Sequence, residues 1–161
     1  MSLPAAKLGV DWCVTASKAW HIDRMAPHVR EADRAELWAG WHSTPEQSLR
    51  HGLARSSHCW TALINFQPVC MLGVVPQSLL GASGVVWLIG TDAVLERQIG
   101  FLRRCRPHLR RIQQTYAHLQ NYVSVENTAA IGWLRWLGFS IADPAPFGPQ
   151  GVPFHHFEWM R

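Results

Sequence analysis

A mixed α/β (α+β) domain, its central sheet of about six to seven strands flanked by about four helices, is the fold class that the sequence predicts. Three observations carry it. Segments of helical period alternate with short apolar segments in the order β, α, α, β, β, β, α, β, α, β, β. A hairpin reads between Cys59 and Pro76, and a helix that opens at Asn127 closes on Gly138. With 161 residues, 48% of them hydrophobic, the chain has the size of one domain over 1–161 and the apolar content to bury a core.

Each element follows from local chemistry. Val10 to Thr15 reads as a first strand. Ser17 to about Trp41 is helical, with Pro27 expected to divide it into two pieces. Thr44 as N-cap, Pro45 at the first helical position and Glu46 in the first turn announce a helix that runs to about Arg55. Trp60, Ala62 and Ile64 alternate on one side of a strand, Asn65-Phe66-Gln67-Pro68 turns, and Val69 to Val75 returns beside it. Gly84 to Thr91 is uniformly apolar, as a central strand covered on both faces should be.

The longest helix is expected from Ala93 to about Tyr116, with Asp92 as its N-cap and Pro107 as a kink inside it. Leu119 to Val125 is a strand. In the helix that follows, Asn127 is the N-cap, Ala130, Ile131, Leu134 and Leu137 form one apolar face, and Gly138 takes the left-handed stop. Ser140 to Ala142 is a short strand, Pro144 to Pro153 a loop, and Phe154 to Met160 the last strand.

Composition excludes several function classes. No run reaches the roughly 18 apolar residues that a membrane helix requires, and the N-terminal segment lacks the order of a signal peptide, so no membrane role and a cytoplasmic location are expected. Cys13, Cys59, Cys70 and Cys105 have neither zinc nor disulfide-scaffold spacing and read as buried free thiols, with no metal site. The nine tryptophans read as core filling, the alternative being an exposed aromatic surface for a partner protein. A net charge of +4 could serve an anionic ligand as easily as a nucleic acid and by itself decides nothing; nucleic acid is not the partner expected. The arginines from Arg103 to Arg111 read as a solvated helix face or as contacts to phosphate or nucleic acid.

The run Glu126-Asn-Thr-Ala-Ala-Ile-Gly-Trp-Leu-Arg-Trp-Leu-Gly138-Phe139 resembles the second half of the signature of the GCN5-related N-acetyltransferases (GNAT). The order of elements is also the one that the GNAT fold uses. The resemblance implies acetyl-CoA as the cofactor, with Asn127 and Ala130 on its binding helix. It implies a gap flanked by Ile89, Gly90 and Thr91, where a backbone N–H polarises the thioester. It also implies a phosphate loop of the form Q/R-x-x-G-x-G/A, matched by Arg97-Gln98-Ile99-Gly100-Phe101-Leu102 with Leu102 in place of the small last residue. If the helix starts at Asp92, Arg97 and Gly100 fall inside it and their N–H groups are already bonded. Leu134 occupies the position where many members carry a tyrosine acid.

For a general base the candidates are Glu36, Asp33, Asp92, Glu126 and the pair His155 and His156. The first helices of that fold line the acceptor side, which singles out Glu36, with Asp33, in the segment Arg30-Glu-Ala-Asp-Arg-Ala-Glu36. Alternating signs in that segment also read as a self-paired exposed helix face. Tyr122 is the tyrosine nearest to replacing the missing acid, or else a structural strand residue. His155 and His156 lie on opposite faces of the last strand, so at most one faces a cleft; His155 is the one taken as a candidate.

A narrower resemblance, to phage proteins related to internal virion protein A, rests on Arg30 to Glu36, Trp60-Thr-Ala-Leu, Leu88-Ile-Gly-Thr91, Leu119 to Thr128, Trp133 to Phe139 and Gly148 to His155. It implies a phage or prophage product in a bacterial cell or a virion. Its partner is then a small-molecule or protein amine acceptor if it is an enzyme, and other phage proteins if it is structural.

Overall fold

The computed structural model describes residues 9–161. Strand β1 (Trp12–Ala16) leads into helix α1 (Ala19–Met25), a 3-10 turn (Ala26–His28), α2 (Glu31–Trp41) and α3 (Pro45–Arg55). Strands β2 (His58–Ile64), β3 (Gln67–Pro76) and β4 (Ser83–Gly90) follow, then α4 (Asp92–Glu96), α5 (Gln98–Thr115), β5 (His118–Ser124) and α6 (Thr128–Trp136). Strands β6 (Ser140–Ile141), β7 (Ala145–Phe147) and β8 (Val152–Met160) close the chain.

Among the described residues, eight strands join one sheet in the order β1-β2-β3-β4-β5-β8-β6, with β7 also on β8. Every pairing is antiparallel except that of β4 with β5. The two faces carry different helices. Ile22, Met25, Leu49, Met71 and Ile89 form the core beneath α1 to α3. Leu109, Ile112, Leu119, Val123, Ile131 and Phe157 pack α5 and α6 onto the other face. Alternation along the strands decides which residue faces which helices. In β4, Trp87 and Ile89 look toward α1–α3 while Val86 and Leu88 look toward α5 and α6.

Most element positions agree with the sequence reading. Thr44 Oγ1 accepts from the Gln47 N–H at 3.2 Å, and Gln47 Oε1 accepts from the Thr44 N–H at 3.0 Å, which makes a full capping box. Gly138 takes φ +94, and the Phe139 N–H reaches back to the Leu134 carbonyl at 3.0 Å. Pro107 lies inside α5 without ending it.

Four expectations need correction. The segment from 144 to 153 contains a strand, because β7 pairs with β8 from Ala145 to Phe147. The helix expected from Ala93 to Tyr116 is two helices: Arg97, at φ −123 and ψ 33, separates α4 from α5, and Thr91 rather than Asp92 is the N-cap of α4. The tryptophans do not all fill the core, since Trp20, Trp38, Trp41 and Trp136 are 42 to 52% exposed. Among the cysteines, Cys70 and Cys105 are buried, Cys59 is half-buried and Cys13 is exposed. Among the described residues, no helix is long and apolar enough to cross a membrane.

The turn between β7 and β8 is pressed against the end of α2. Gly148 sits at φ +75, and a Cβ built there would lie 2.5 Å from the Ala39 carbonyl oxygen, a backbone atom that cannot step aside. Replacing Gly148 with alanine therefore combines left-handed strain with a collision. We expect Gly148→Ala to destabilise the fold by about 2 kcal/mol or more, read as a lower urea midpoint with unchanged slope.

Candidate active site

Strands β4 and β5 are parallel neighbours for only a short distance. Ser83, Gly84 and Val85 pair with His118, Leu119 and Gln120, after which the ladder stops. Asn121 spans the point of divergence, its Nδ2 donating to the Val86 carbonyl at 2.8 Å. Beyond it the strands splay. A cavity of about 820 Å³ passes through the opening, bounded by Glu36, Leu37 and Trp41 on one face of the sheet and by Phe101, Ala130, Trp133 and Leu134 on the other. That volume lies in the range of small-molecule and cofactor sites.

Antiparallel geometry settles which backbone groups face the opening. The Thr91 N–H donates to the Val69 carbonyl at 2.8 Å, toward β3. Ile89, opposite Met71, and Trp87, opposite Gly73, share that direction. Gly90 and Leu88 point the other way. The Gly90 N–H is taken by Asp33 Oδ2 at 3.0 Å, and the Gly90 carbonyl accepts from the Arg30 N–H at 2.9 Å. Leu88 lies past the last β4–β5 pair, so its N–H faces the cavity where β5 no longer offers an acceptor. Of the segment expected to polarise a carbonyl, Ile89 and Thr91 are turned toward β3 and Gly90 is already bonded. The residue before them, Leu88, holds the N–H that is free for this role.

A buried polar network ties the helices to the splayed strands. Arg30 and Asp33 are both 4% exposed and Asn127 is 2% exposed. Arg30 Nη2 donates to Asp33 Oδ1 at 2.6 Å and to Asn127 Oδ1 at 3.0 Å, while its guanidinium lies 4.9 Å from the Trp133 ring centre. Asn127 Nδ2 donates to Asp33 Oδ1 at 3.1 Å and to Glu36 Oε2 at 3.0 Å. Asn127 does occupy the N-cap position of α6, yet its side chain makes no capping bond. It reaches across to α2 instead. The self-paired face expected of this segment survives only at its exposed edge, where Arg34 Nε lies 3.8 Å from Glu31 Oε2.

Glu36 stands beside that network on the cavity wall. Its Oε2 also accepts from the Ser124 N–H at 2.8 Å. Desolvation between α2 and the end of β5 pushes its pKa up to about 7. Hydrogen bonds from Ser124 and Asn127 oppose the rise, the Asp33 charge adds to it and the Arg30 charge offsets it. A carboxylate of this basicity at neutral pH is matched to taking a proton.

The other residues singled out in the sequence are distributed unevenly. Ala130 and Leu134 line the cavity on the α6 side. Tyr122 lines it from the α1–α3 face, where its ring stacks on Phe147 at 4.1 Å. His155 is not brought to it: the residue shares the opposite face with Val123, and its Nδ1 lies 2.7 Å from the Ala142 carbonyl. His156, on the same face as Tyr122, is bonded to Gln120 at 2.6 Å. Arg97 and Gly100 fall at the start of α5, where the first intrahelical bond runs from the Phe101 N–H to the Arg97 carbonyl. The N–H groups of Gln98, Ile99 and Gly100 therefore precede the hydrogen-bonded ladder, in a first turn that contains no acid. The break at Arg97 removes the objection that these groups are spent inside a longer helix. Sequence reasoning missed Leu88 and the joint role of Arg30, Asp33 and Asn127. The i, i+3 spacing of Arg30 and Asp33 was the one available signal.

No protein-family model matches the sequence, and no curated protein matches it. Solved structures do. The chain is similar to a GCN5-related N-acetyltransferase from Kribbella flavida, with a TM-score of 0.68 at 15% identity over 93% of this chain and 98% of that one. It is likewise similar to an acetyltransferase of the GNAT family from Streptococcus pneumoniae, with a TM-score of 0.66 at 12% identity over 94% and 100%. A third match is the aminoglycoside acetyltransferase AAC(6')-Ib in complex with coenzyme A, with a TM-score of 0.64 at 15% identity over 94% and 95%. A sheet that splays between its parallel pair, embedded in this order of elements, gives the chain the fold of the GNAT acetyltransferases.

Proposed function

We propose that the protein is an acetyl-CoA-dependent N-acetyltransferase. The observation that carries this reading is the cavity through the sheet, which brings the Leu88 N–H and the Glu36 carboxylate to one continuous space. The residues fit the cofactor. The free N–H groups of Gln98 to Gly100 and the positive end of α5 suit a pyrophosphate, and Arg97 adds a cation there. Ala130 and Leu134 leave an apolar passage toward Leu88. Acetyl-CoA, when bound, supplies the acetyl group as a thioester.

The chain's own residues divide the remaining work. Glu36 Oε takes a proton from the acceptor ammonium and so exposes the amine lone pair. The Leu88 N–H, fixed by the β3–β4 ladder, stabilises negative charge on an oxygen lodged in the gap. The Arg30–Asp33–Asn127 network holds Glu36 and the end of β4 in register. Leu134 has no proton to give, so this reading assigns no side-chain acid on the α6 wall.

That leucine favours a second reading, a catalytically inactive GNAT-fold protein of a phage virion or its assembly, as the narrower sequence resemblance implies. Thermal denaturation with acetyl-CoA, followed by thiol release with mixed amines, separates the two. At about 100 times the dissociation constant the ligand adds about 2.7 kcal/mol, a rise in Tm of about 5–10 °C. No rise at millimolar acetyl-CoA sinks the enzyme reading. A rise without amine-dependent thiol release favours the second.

A further inference from the structure

The cavity carries charge at two separated points. Arg30 and Asp33 neutralise one another within it. Two lining charges remain. Glu36 is bonded to neutral donors only, the Ser124 N–H and Asn127 Nδ2. Arg55, the last residue of α3, forms no ion pair among the described residues. On the same side of the sheet the cavity is lined by the rings of Trp41, Trp87 and Tyr122, with Gln47, Ser48 and His51 as neutral polar residues on the α3 wall.

The sheet gives the spacing. Glu36 is anchored at Ser124 of β5, whereas Arg55 adjoins Ser56, whose Oγ accepts from Trp87 Nε1 at 2.8 Å, just past the middle of β4. Gln120 of β5 is level with Val85 of β4, and Ser124 lies four residues further along. Trp87 is two residues beyond Val85, so Ser124 stands two residues past its level; about 7 Å along the strands and about 5 Å or more across the splayed opening put the two ends on the order of 10 Å apart. An unpaired guanidinium at one end matches a carboxylate, which it can grip with two parallel hydrogen bonds.

We propose that the acceptor is an extended aminocarboxylate, with its ammonium at Glu36, its carboxylate at Arg55 and an apolar body about 10 Å long lying along Trp41, Trp87 and Tyr122. This rests on the acetyltransferase reading above and narrows its substrate. The Glu36 end accepts the proton, and the Arg55 end sets the length and the terminal charge.

The experiment follows thiol release from acetyl-CoA with a straight-chain ω-amino acid of about eight carbons, its methyl ester and a two-carbon shorter analogue, using wild type and Arg55→Ala. The expected result is a KM for the free acid at least tenfold below those of the ester and the shorter acid, with kcat little changed. In Arg55→Ala, acid and ester should become equal, while the shift in Tm with acetyl-CoA stays that of wild type. Equal use of acid and ester by wild type overturns the inference, as does a preference that survives in Arg55→Ala. If acetyl-CoA raises Tm and other amines are acetylated but none of these acids is, the inference falls and the acetyltransferase reading stands. If acetyl-CoA does not bind, both fall.

Discussion

Glu36→Gln is expected to lower kcat for acetyl transfer by about 10²–10³-fold while leaving the affinity for acetyl-CoA close to that of wild type. Glutamine keeps an oxygen to accept from the Ser124 N–H and removes the one carboxylate on the cavity wall that is free of a cationic partner. Wild-type rate should rise with pH through about 7, where Glu36 loses its proton, and the variant should lose that limb. Stability should move in the opposite sense. With its folded pKa raised to about 7 from 4.5, Glu36 makes the native state hold more protons than the unfolded state between those values. Stability therefore falls as pH rises across that window. Glu36→Gln removes this dependence and should denature at a higher temperature than wild type above pH 7. A variant both slower and more stable is the signature of a carboxylate kept buried for its chemistry.

Asp33→Ala should be the most damaging single change to the fold. Among the described residues Asp33 is the only carboxylate bonded to Arg30, and it also accepts from the Gly90 N–H and from Asn127 Nδ2. Removing it strands a guanidinium that is 4% exposed, leaves the Gly90 N–H without its acceptor and leaves Asn127 Nδ2 with Glu36 alone. Breaking a buried pair from one side costs about 3–5 kcal/mol. For a chain of this length that is a fall in Tm of about 10 °C. Asp33→Asn, which keeps an acceptor for Gly90, should lose less. The measurement is the denaturation midpoint of the two variants, and a loss in Asp33→Ala below about 1 kcal/mol would mean that the network is not holding α2 to β4.

Local chemistry made most of the fold legible. The Thr44 capping box, the hairpin through Asn65 and Phe66, and the glycine stop at Gly138 are written in a few adjacent residues each, and their structures match. The departures have a common cause, because they depend on partners distant in sequence. Asn127 is spaced as a cap, but Asp33 and Glu36, 94 and 91 residues away, offer its side chain stronger bonds. The break at Arg97 has no proline or glycine at the residue itself to announce it. Strand β7 hides in a segment of Pro and Gly because its pairing is supplied by β8. The site was legible as residue types and not as geometry. Glu36 could be named from the sequence, whereas Leu88 emerges only once the register of β4 against β3 is known.

The account turns on the claim that the Leu88 N–H faces the acetyl group in the cavity between β4 and β5. Titrating isotopically labelled protein with acetyl-CoA, and then with coenzyme A, while following backbone amide resonances tests this directly. The Leu88 amide proton should move downfield with acetyl-CoA and clearly less with coenzyme A, while Ile89 and Thr91, bonded toward β3, move little. Saturation by acetyl-CoA with the Leu88 resonance unmoved would contradict it.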